Sequence, residues 1–561
     1  MEKRKAKKFQ LIHLLSTIII ILICLLISAC EKDQSVQNPQ SEKAAGAIVQ
    51  NQSSDESIDS SVDYTRADIS PSKTCGEEMI GFKADGVFQL EAKEMPAEGD
   101  TPGFCKIRGM IDPEIAFEVN LPGKWNGRFY MIGNGGHAGQ ALDDPMQVSQ
   151  VKEAISKGFA IALTNTGHDT KKEPGASFVM SNPQKAIDYA YRAVHLTAVT
   201  AKAITADYYQ KPIKYSYWNS CSNGGRQGMI EAQRYADDFE GIIANAPWLD
   251  QTGFTIGAMW NQKALSNVTL TADKMAMVAE KVMAKCDVID GVKDNLIEDP
   301  RKCDFDPVKD VPACMENADG PDCLTPAQAE AIAKVYQGPI SNGRNIFPGF
   351  MPGSEAIMPG LFGGSSQSGW MGLIVSTQPG VPPADFGLAQ DTMRYLVHKP
   401  PMPDYDCSTF DFDKDINMLD DWGKLADAKN PDLSTFRNRG GKLIMTYGWA
   451  DPVLQPMVGV NYYEEALKVN GPDTPDFFRL FMVPGMSHCG GGECPNQLDS
   501  VTAIVNWVEK GKAPEKIIAK QIKDGNVIRT RPLCPFPETA RYKGNGSIDD
   551  EANFECAAPQ K

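Results

Sequence analysis

The chain has 561 residues, 42% of them hydrophobic and 23% charged. These globular proportions exclude wholesale disorder, collagen, a coiled coil and a polytopic membrane protein. The length allows a large catalytic domain with a substantial insertion or second domain, each burying its own core. The net charge of −16 becomes about −20 once a leader of five basic residues and one glutamate is removed. Nucleic acid, a polyanion, is therefore not an expected partner.

Residues 1–29 read as a secretory signal, with Lys3, Arg4, Lys5, Lys7 and Lys8 ahead of the apolar run Ile18 to Ile27. That run is too short to span a bilayer comfortably. It ends Leu26-Ile27-Ser28-Ala29-Cys30, which resembles the lipobox of bacterial lipoproteins. The resemblance implies cleavage before Cys30 and acylation of its thiol, and Glu31 at the next position favours the outer membrane. The acyl group is then the only expected membrane contact. Residues 30–73 are rich in Gln, Ser, Asn and Asp and poor in large apolar residues, a composition that cannot bury enough surface to fold. They read as a tether with an r.m.s. span of about 35 Å.

Of 14 cysteines, Cys24 falls in the leader and Cys30 in the lipobox, which leaves an even number in an exported chain and predicts a disulfide framework. Spacing suggests Cys75 with Cys105, Cys286 with Cys303, Cys314 with Cys323, and Cys534 with Cys556, although sequence alone does not fix connectivity. Cys407 and Cys494 are left over and by default would form a sixth bridge. No Cys-x-x-Cys pair is present to chelate zinc.

Between residues 74 and 248, β-rich runs at Arg128 to Ile132, Phe159 to Asn165, Tyr215 to Asn219 and Gly241 to Ala246 alternate with helical patterns. A long helix is predicted from Asn182-Pro183, an N-cap followed by proline at the first helical position, with Ala186, Ile187, Ala190, Ala193 and Val194 at helical spacing. Such alternation predicts an α/β fold with a mainly parallel sheet covered on both faces. Residues 249–436 break the pattern with helices and Pro/Gly-rich loops. From 437 to 561 it returns, with β runs at Lys442 to Tyr447 and Phe478 to Val483 and an amphipathic helix from Val501 to Glu509. The economical reading is one α/β domain interrupted by an inserted lid.

Tyr217-Trp218-Asn219-Ser220-Cys221-Ser222-Asn223-Gly224-Gly225 lies where a β run turns into a helix, the setting of a nucleophile elbow, with Ser222 as nucleophile. Small residues two positions either side let strand and helix approach; Ser220 and Gly224 supply them, serine replacing the first glycine of G-x-S-x-G. A serine hydroxyl needs a base, and beyond the leader the histidines are His137, His168, His195, His398 and His488. His488 follows a β run in a Gly-rich loop, where a base would reach across strand ends. His195 lies within a helix pattern and His398 in the lid, so both read as structural. Asp451, at the end of the run through Trp449, precedes the histidine as the third member of an α/β-hydrolase triad does. Cys221 precedes Ser222 and Cys489 follows His488, so a hydrogen-bonded Ser-His pair would bring the two thiols close to disulfide distance. The N–H of Asn223 would donate to an oxyanion if the elbow forms.

These residues closely resemble the tannase and feruloyl esterase family of secreted serine esterases, with α/β-hydrolase folds and a large inserted lid. The resemblance runs from Cys75 to Cys556. It rests on Cys221-Ser222-Asn223-Gly224-Gly225-Arg226, Tyr447-Gly448-Trp449-Ala450-Asp451 and His488-Cys489-Gly490-Gly491. It implies a Ser222, Asp451, His488 triad, a bridge between Cys221 and Cys489, and a lid after the fourth run. The loop Gly133-Asn134-Gly135-Gly136-His137 resembles the family's Gly-rich loop, so the second oxyanion donor falls to Gly135 or Gly136. Ser220 departs from the family's usual glycine. Cys286 to Leu296 clusters carboxylates around an Asp-Gly turn, a setting suited to calcium. Here the resemblance implies Asp287, Asp290 and Asp294 as side-chain ligands, with Val292 and Leu296 through carbonyls, and a structural role for the ion.

The expected activity is hydrolysis of a small ester of an aromatic acid, feruloyl or galloyl in type; the aromatic preference comes from the resemblance. Trp260, Phe350, Phe362, Trp370, Phe386 and Tyr395 in the lid could stack on a ring, but core packing explains them equally well. Two alternatives share the sequence features: a serine peptidase on the same fold, and a non-catalytic surface lipoprotein that binds aromatic glycosides.

Overall fold

The computed structural model describes residues 62–63, 66–315, 318–355, 357–358, 367–378 and 380–559. The expected signal, Cys30, most of the tether and Phe362 lie outside them. Nine strands form one sheet: β1 (Val87–Met95), β2 (Phe104–Ile111), β3 (Ile115–Pro122), β4 (Arg128–Met131), β5 (Ala160–Thr164), β6 (Tyr215–Cys221), β7 (Gly241–Asn245), β8 (Lys442–Gly448) and β9 (Phe478–Val483). Their spatial order is β1-β2-β3-β5-β4-β6-β7-β8-β9. Pairing is antiparallel from β1 to β2, β3 and β5, and parallel from β5 through to β9.

Alternate residues of each central strand enter two different cores, as the two-residue period of a strand requires. Phe129, Met131, Ala160, Ala162, Ile242 and Ala244 pack on one face. Tyr130, Ile132, Ile161, Leu163, Ile243 and Ile444 pack on the other, against Val505 and Trp507 of the helix Ser500–Lys510. Both faces being covered explains why the parallel strands read as unbroken apolar runs. The six runs singled out in the sequence are β4 to β9. The antiparallel strands β1 to β3 were not singled out. Nor were two C-terminal hairpins: β10 (Ile517–Lys523) with β11 (Asn526–Leu533), and β12 (Thr539–Tyr542) with β13 (Phe554–Ala557).

Between β7 and β8 the chain leaves the sheet for residues 249–436. The helices Gln251–Leu265, Ala272–Cys286 and Pro326–Gln337 belong to this segment. It has its own core, built on Met275, Val278, Ile332, Val335 and Trp370. Phe254, Met259, Ala389 and Met393 from the same segment join the core on the sheet, which keys the insertion to the strands that carry the site.

The disulfides Cys75–Cys105, Cys286–Cys303, Cys314–Cys323 and Cys534–Cys556 all form, together with Cys221–Cys489. The default sixth bridge does not: Cys407 and Cys494 are free and buried. Cys407 packs into the core below the insertion and Cys494 into the core on the opposite sheet face, so each thiol serves as a small apolar filler, its pKa pushed up by burial to about 11 and about 12 respectively.

Candidate active site

The sharp turn between β6 and the helix Asn223–Arg234 places Ser222 at φ 63° and ψ −125°, a strained conformation for a non-glycine residue. The surroundings hold it there. Its N–H donates to the Asn245 carbonyl at 3.0 Å, and its own carbonyl accepts from Trp248 N–H at 2.9 Å and Arg226 N–H at 3.0 Å. A Cβ at position 224 would lie 2.0 Å from Ser220 Oγ, so the small residue expected after the nucleophile is a steric requirement. Serine at 220 is tolerated because position 224 has no side chain.

Asp451 follows β8 and is fully buried. Its Oδ1 accepts from Val453 N–H at 2.8 Å and Leu454 N–H at 2.9 Å, while Oδ2 lies 2.8 Å from His488 Nδ1. Three donors on one carboxylate fix its orientation and offset its desolvation. His488 lies in the loop after β9, and Gly448 lets that loop close on β8: a Cβ there would lie 2.1 Å from the Met486 carbonyl oxygen. With Nδ1 committed to Asp451, His488 keeps Nε2 for chemistry.

The Cys221–Cys489 bridge closes the arrangement with Cα atoms 5.8 Å apart, and a His488 ring nitrogen lies within 4.8 Å of both sulfurs. Ser222, His488 and Cys489 line a cavity of about 1170 Å³, together with Gly135, Gly136, Trp248, Phe254, Leu388, Val453 and Leu454. Elimination among the histidines is consistent with this placement. His137 Nε2 lies 3.0 Å from Thr392 Oγ1, His168 Nε2 lies 3.0 Å from the His137 carbonyl, His195 Nδ1 lies 2.7 Å from Asp238, and His398 packs on Tyr405. Burial pushes His137 down to about 3 and His168 down to about 4, so both stay neutral near pH 7.

Asn223 N–H, at the first turn of its helix, has no partner among the described residues, as an N-terminal helical donor is free to do. The two candidate glycines differ. Gly135 N–H donates to Gln140 Oε1 at 2.8 Å, whereas Gly136 N–H has no partner among the described residues and its φ is +46°. Gly136 is the residue with a donor to spare.

Around the predicted calcium loop, Asp287 and Asp294 are buried. Asp287 Oδ1 accepts from Asp294 N–H at 3.1 Å, Asp290 Oδ1 from Val292 N–H at 3.0 Å, and Asp294 Oδ1 from Leu296 N–H at 3.2 Å. Burial, opposed by the Val292 hydrogen bond and reinforced by the charges of Asp294 and Asp287, raises the Asp290 pKa. Arg531 pairs with Asp294. Arg529 Nη1 also donates to the Asp294 carbonyl at 3.1 Å, so three carboxylates still outnumber the two guanidiniums at the loop, and this hard-oxygen donor set fits a calcium ion. Another cluster, His195 with Glu231 and Asp238, has Lys202 donating to the Asp238 carbonyl. Burial and the Asp238 charge hold the Glu231 carboxyl well above its usual range.

Of the lid aromatics, Phe350 and Trp370 pack inside the insertion's own core, Trp260 sits edge-on against Phe412, and Phe386 and Tyr395 pack beside core clusters. Tyr130, Phe159, Trp248 and Phe254 line the cavity; Trp248, whose backbone N–H donates to the Ser222 carbonyl, and Phe254 are 5.0 Å apart and edge to face. Trp248 lies two residues beyond the run Gly241 to Ala246, on the strand-end side where ligands of α/β sheets bind, which is the signal that would have found it.

A profile of the family described as Tannase and feruloyl esterase matches residues 101–557. Mono(2-hydroxyethyl) terephthalate hydrolase from Piscinibacter sakaiensis is 32% identical over 536 residues, covering 86% of this chain and 88% of that one. A probable feruloyl esterase from Arthroderma benhamiae is 33% identical over 465 residues, covering 79% and 82%. The crystal structure of feruloyl esterase B from Aspergillus oryzae superposes with a TM-score of 0.74 at 26% identity, over 85% of this chain and 98% of that one. Tannin acyl hydrolase from Aspergillus niger, at 19% identity and a TM-score of 0.68 over 86% and 95%, shares the fold. The chain belongs to the tannase and feruloyl esterase family and is an α/β-hydrolase that cleaves carboxylic esters.

Proposed function

We propose that this esterase acts on esters of aromatic acids through a Ser222, His488, Asp451 triad and an acyl-enzyme. The observation that carries the reading is the buried 2.8 Å contact between Asp451 and His488, on a histidine sharing one cavity with a serine held at an elbow. Ser222 attacks the ester carbonyl while His488 takes its proton. Asn223 N–H and Gly136 N–H receive the oxyanion, and His488 then protonates the departing alcohol. Water repeats the sequence on the acyl-enzyme. The Trp248–Phe254 pair supports an aromatic acyl group, because aromatic rings lining a cavity offer stacked or edge-to-face contact to another ring.

Ser222→Ala should abolish turnover of feruloyl and galloyl esters while leaving the melting temperature nearly unchanged. A fluorophosphonate should label Ser222, and retained turnover in the variant overturns the triad. A matched amide should be turned over far more slowly than the ester; comparable rates would instead favour the peptidase. Residues 249–436 are read as the lid. Asp287, Asp290 and Asp294, with the carbonyls of Val292 and Leu296, would hold a calcium ion that braces this segment and supplies no chemistry to the triad. Export to the cell envelope is supported by five disulfides. A lipid anchor on Cys30 remains part of the same proposal, and among the described residues no helix is long and apolar enough to cross a membrane.

A further inference from the structure

The sequence predicts one regular helix after Asn182-Pro183. The chain instead runs α-helical over Gln184–Ile187, winds as a π turn over Asp188–Arg192, and resumes as an α-helix over Ala193–Tyr209. A π turn inserts an extra residue and rotates the side chains before it relative to those after it; such turns gather at functional sites. Tyr189 lies on this turn and is fully buried.

Its hydroxyl accepts from Gln251 Nε2 at 2.7 Å. It stands 3.1 Å from the Gly136 carbonyl oxygen and 3.2 Å from Asn223 Oδ1. One O–H proton is thus shared between the two residues whose backbone N–H groups are free to receive an oxyanion. Asn223 Oδ1 also accepts from Arg226 Nε at 2.8 Å, and Arg226 Nη1 donates to the carbonyls of Ala190 and Ala426 at 2.9 Å each. The amide of Asn223 is therefore fixed in orientation. The Gly136 carbonyl belongs to the peptide after its own N–H, so the Tyr189 bond sets the backbone of a left-handed glycine and does not polarise the donor. Burial raises the tyrosine pKa, so the hydroxyl stays a donor throughout the working range of an esterase.

We propose that Tyr189 is a positioning residue, one hydroxyl that ties the Gly-rich loop to the nucleophile's helix and presets the spacing of the two oxyanion donors. This rests on the esterase mechanism above and adds a residue that the elbow and triad do not identify. Preorganised donors stabilise the transition state because they need not reorient as charge develops. Losing the tie therefore weakens binding of the tetrahedral state more than binding of substrate.

The test is Tyr189→Phe in the full chain, with a fluorophosphonate first used to establish that Ser222 is labelled in the parent. The expected result is a kcat about 10-fold lower with KM nearly unchanged, a smaller loss than the removal of a donor itself produces. The affinity of an aryl boronic acid, which forms a tetrahedral adduct on Ser222, should fall by the same factor as kcat, while the affinity of the free aromatic acid should not change. Gln251→Met, which leaves the hydroxyl but removes the bond that orients it, should show the same pattern more weakly. A labelled Tyr189→Phe enzyme with kcat within about twofold of the parent overturns the role of Tyr189 and leaves the esterase mechanism standing. Equal losses in boronate and product affinity also overturn it, because a merely structural role would move both. A parent chain not labelled at Ser222 overturns both readings.

Discussion

Removing the Cys221–Cys489 bridge should damage stability and catalysis together, for separate reasons. The bridge joins residues 268 positions apart, and chain-entropy arithmetic for a loop of that length gives an upper figure of about 5–6 kcal/mol. The two bridges nested inside shorten the loop by 17 and 9 residues, which barely moves the logarithm. Residual order in the unfolded chain reduces such figures, so a loss of about 3–5 kcal/mol is expected for Cys221→Ser/Cys489→Ser in a guanidinium titration. Catalysis should suffer because the loop is anchored ahead of His488, where Ala450 N–H donates to the buried Met486 carbonyl at 3.1 Å, while the bridge holds it directly after the histidine. Gly485, Gly490, Gly491 and Gly492 all have positive φ, and the Ser487 N–H to Gly491 carbonyl contact is 3.4 Å long. The Asp451 contact orients the imidazole without fixing its distance from Ser222. At a temperature where the variant is fully folded, kcat on an aryl ester and the rate of Ser222 phosphonylation should both fall by at least about 10-fold, the scale of misplacing a catalytic group. A variant that loses stability but keeps its kcat would show that packing alone positions the base, and one that keeps both would refute the reasoning entirely.

If the acidic loop holds calcium, EGTA should lower the melting temperature and added calcium should restore it. Asp290→Asn should abolish that response, while kcat at 20 °C stays within about twofold of the parent, since the ion has no part in the triad. A melting temperature indifferent to EGTA, with no calcium found by elemental analysis, removes the site. Stability should be greatest at mildly acidic pH. Burial raises Asp385 from 3.8 to about 7, so its contribution is full below pH 3.8 and is lost as pH rises through 7. His137 is lowered from 6.5 to about 3, so its contribution is full above pH 6.5 and is lost as pH falls toward 3. Asp385→Asn should make the alkaline limb shallower, removing up to about 3 kcal/mol of the difference between pH 5 and pH 9; an unchanged alkaline slope in denaturant midpoints would rule this out.

The parts of the fold legible in the sequence are those in which one local pattern decides the structure. Residues of β4 to β9 are buried on both faces, so they stand out as apolar runs bounded by turns. β1 alternates half-buried with exposed positions and has no such contrast with its surroundings, and the two C-terminal hairpins carry charged residues along exposed edges. The residues of the proposed triad were legible because each lies at the end of a run and because two cysteines flank two of them. Which of Gly135 and Gly136 keeps a free N–H was not, since it turns on the Gln140 side chain, a contact five residues away that no backbone pattern encodes. Tyr189 was hidden for a related reason: its apolar neighbours keep regular helical spacing, and the π turn that re-aims it becomes visible only once Gln251, Asn223 and Gly136 have converged on its hydroxyl.

The free thiols bear on the same division. Twelve cysteines beyond the lipobox suggest six bridges by parity, yet Cys407 and Cys494 are held in cores on opposite faces of the sheet. Parity fails because pairing is decided by proximity in the fold, and a buried thiol is as stable as any small apolar residue when no partner is near. Where a bridge lies beside residues proposed to meet in one site, as at Cys221 and Cys489, proximity follows from what those side chains would have to do, and the pairing can be inferred without counting. A functional constraint on adjacent residues is therefore a better guide to disulfide connectivity in this chain than the even number of cysteines.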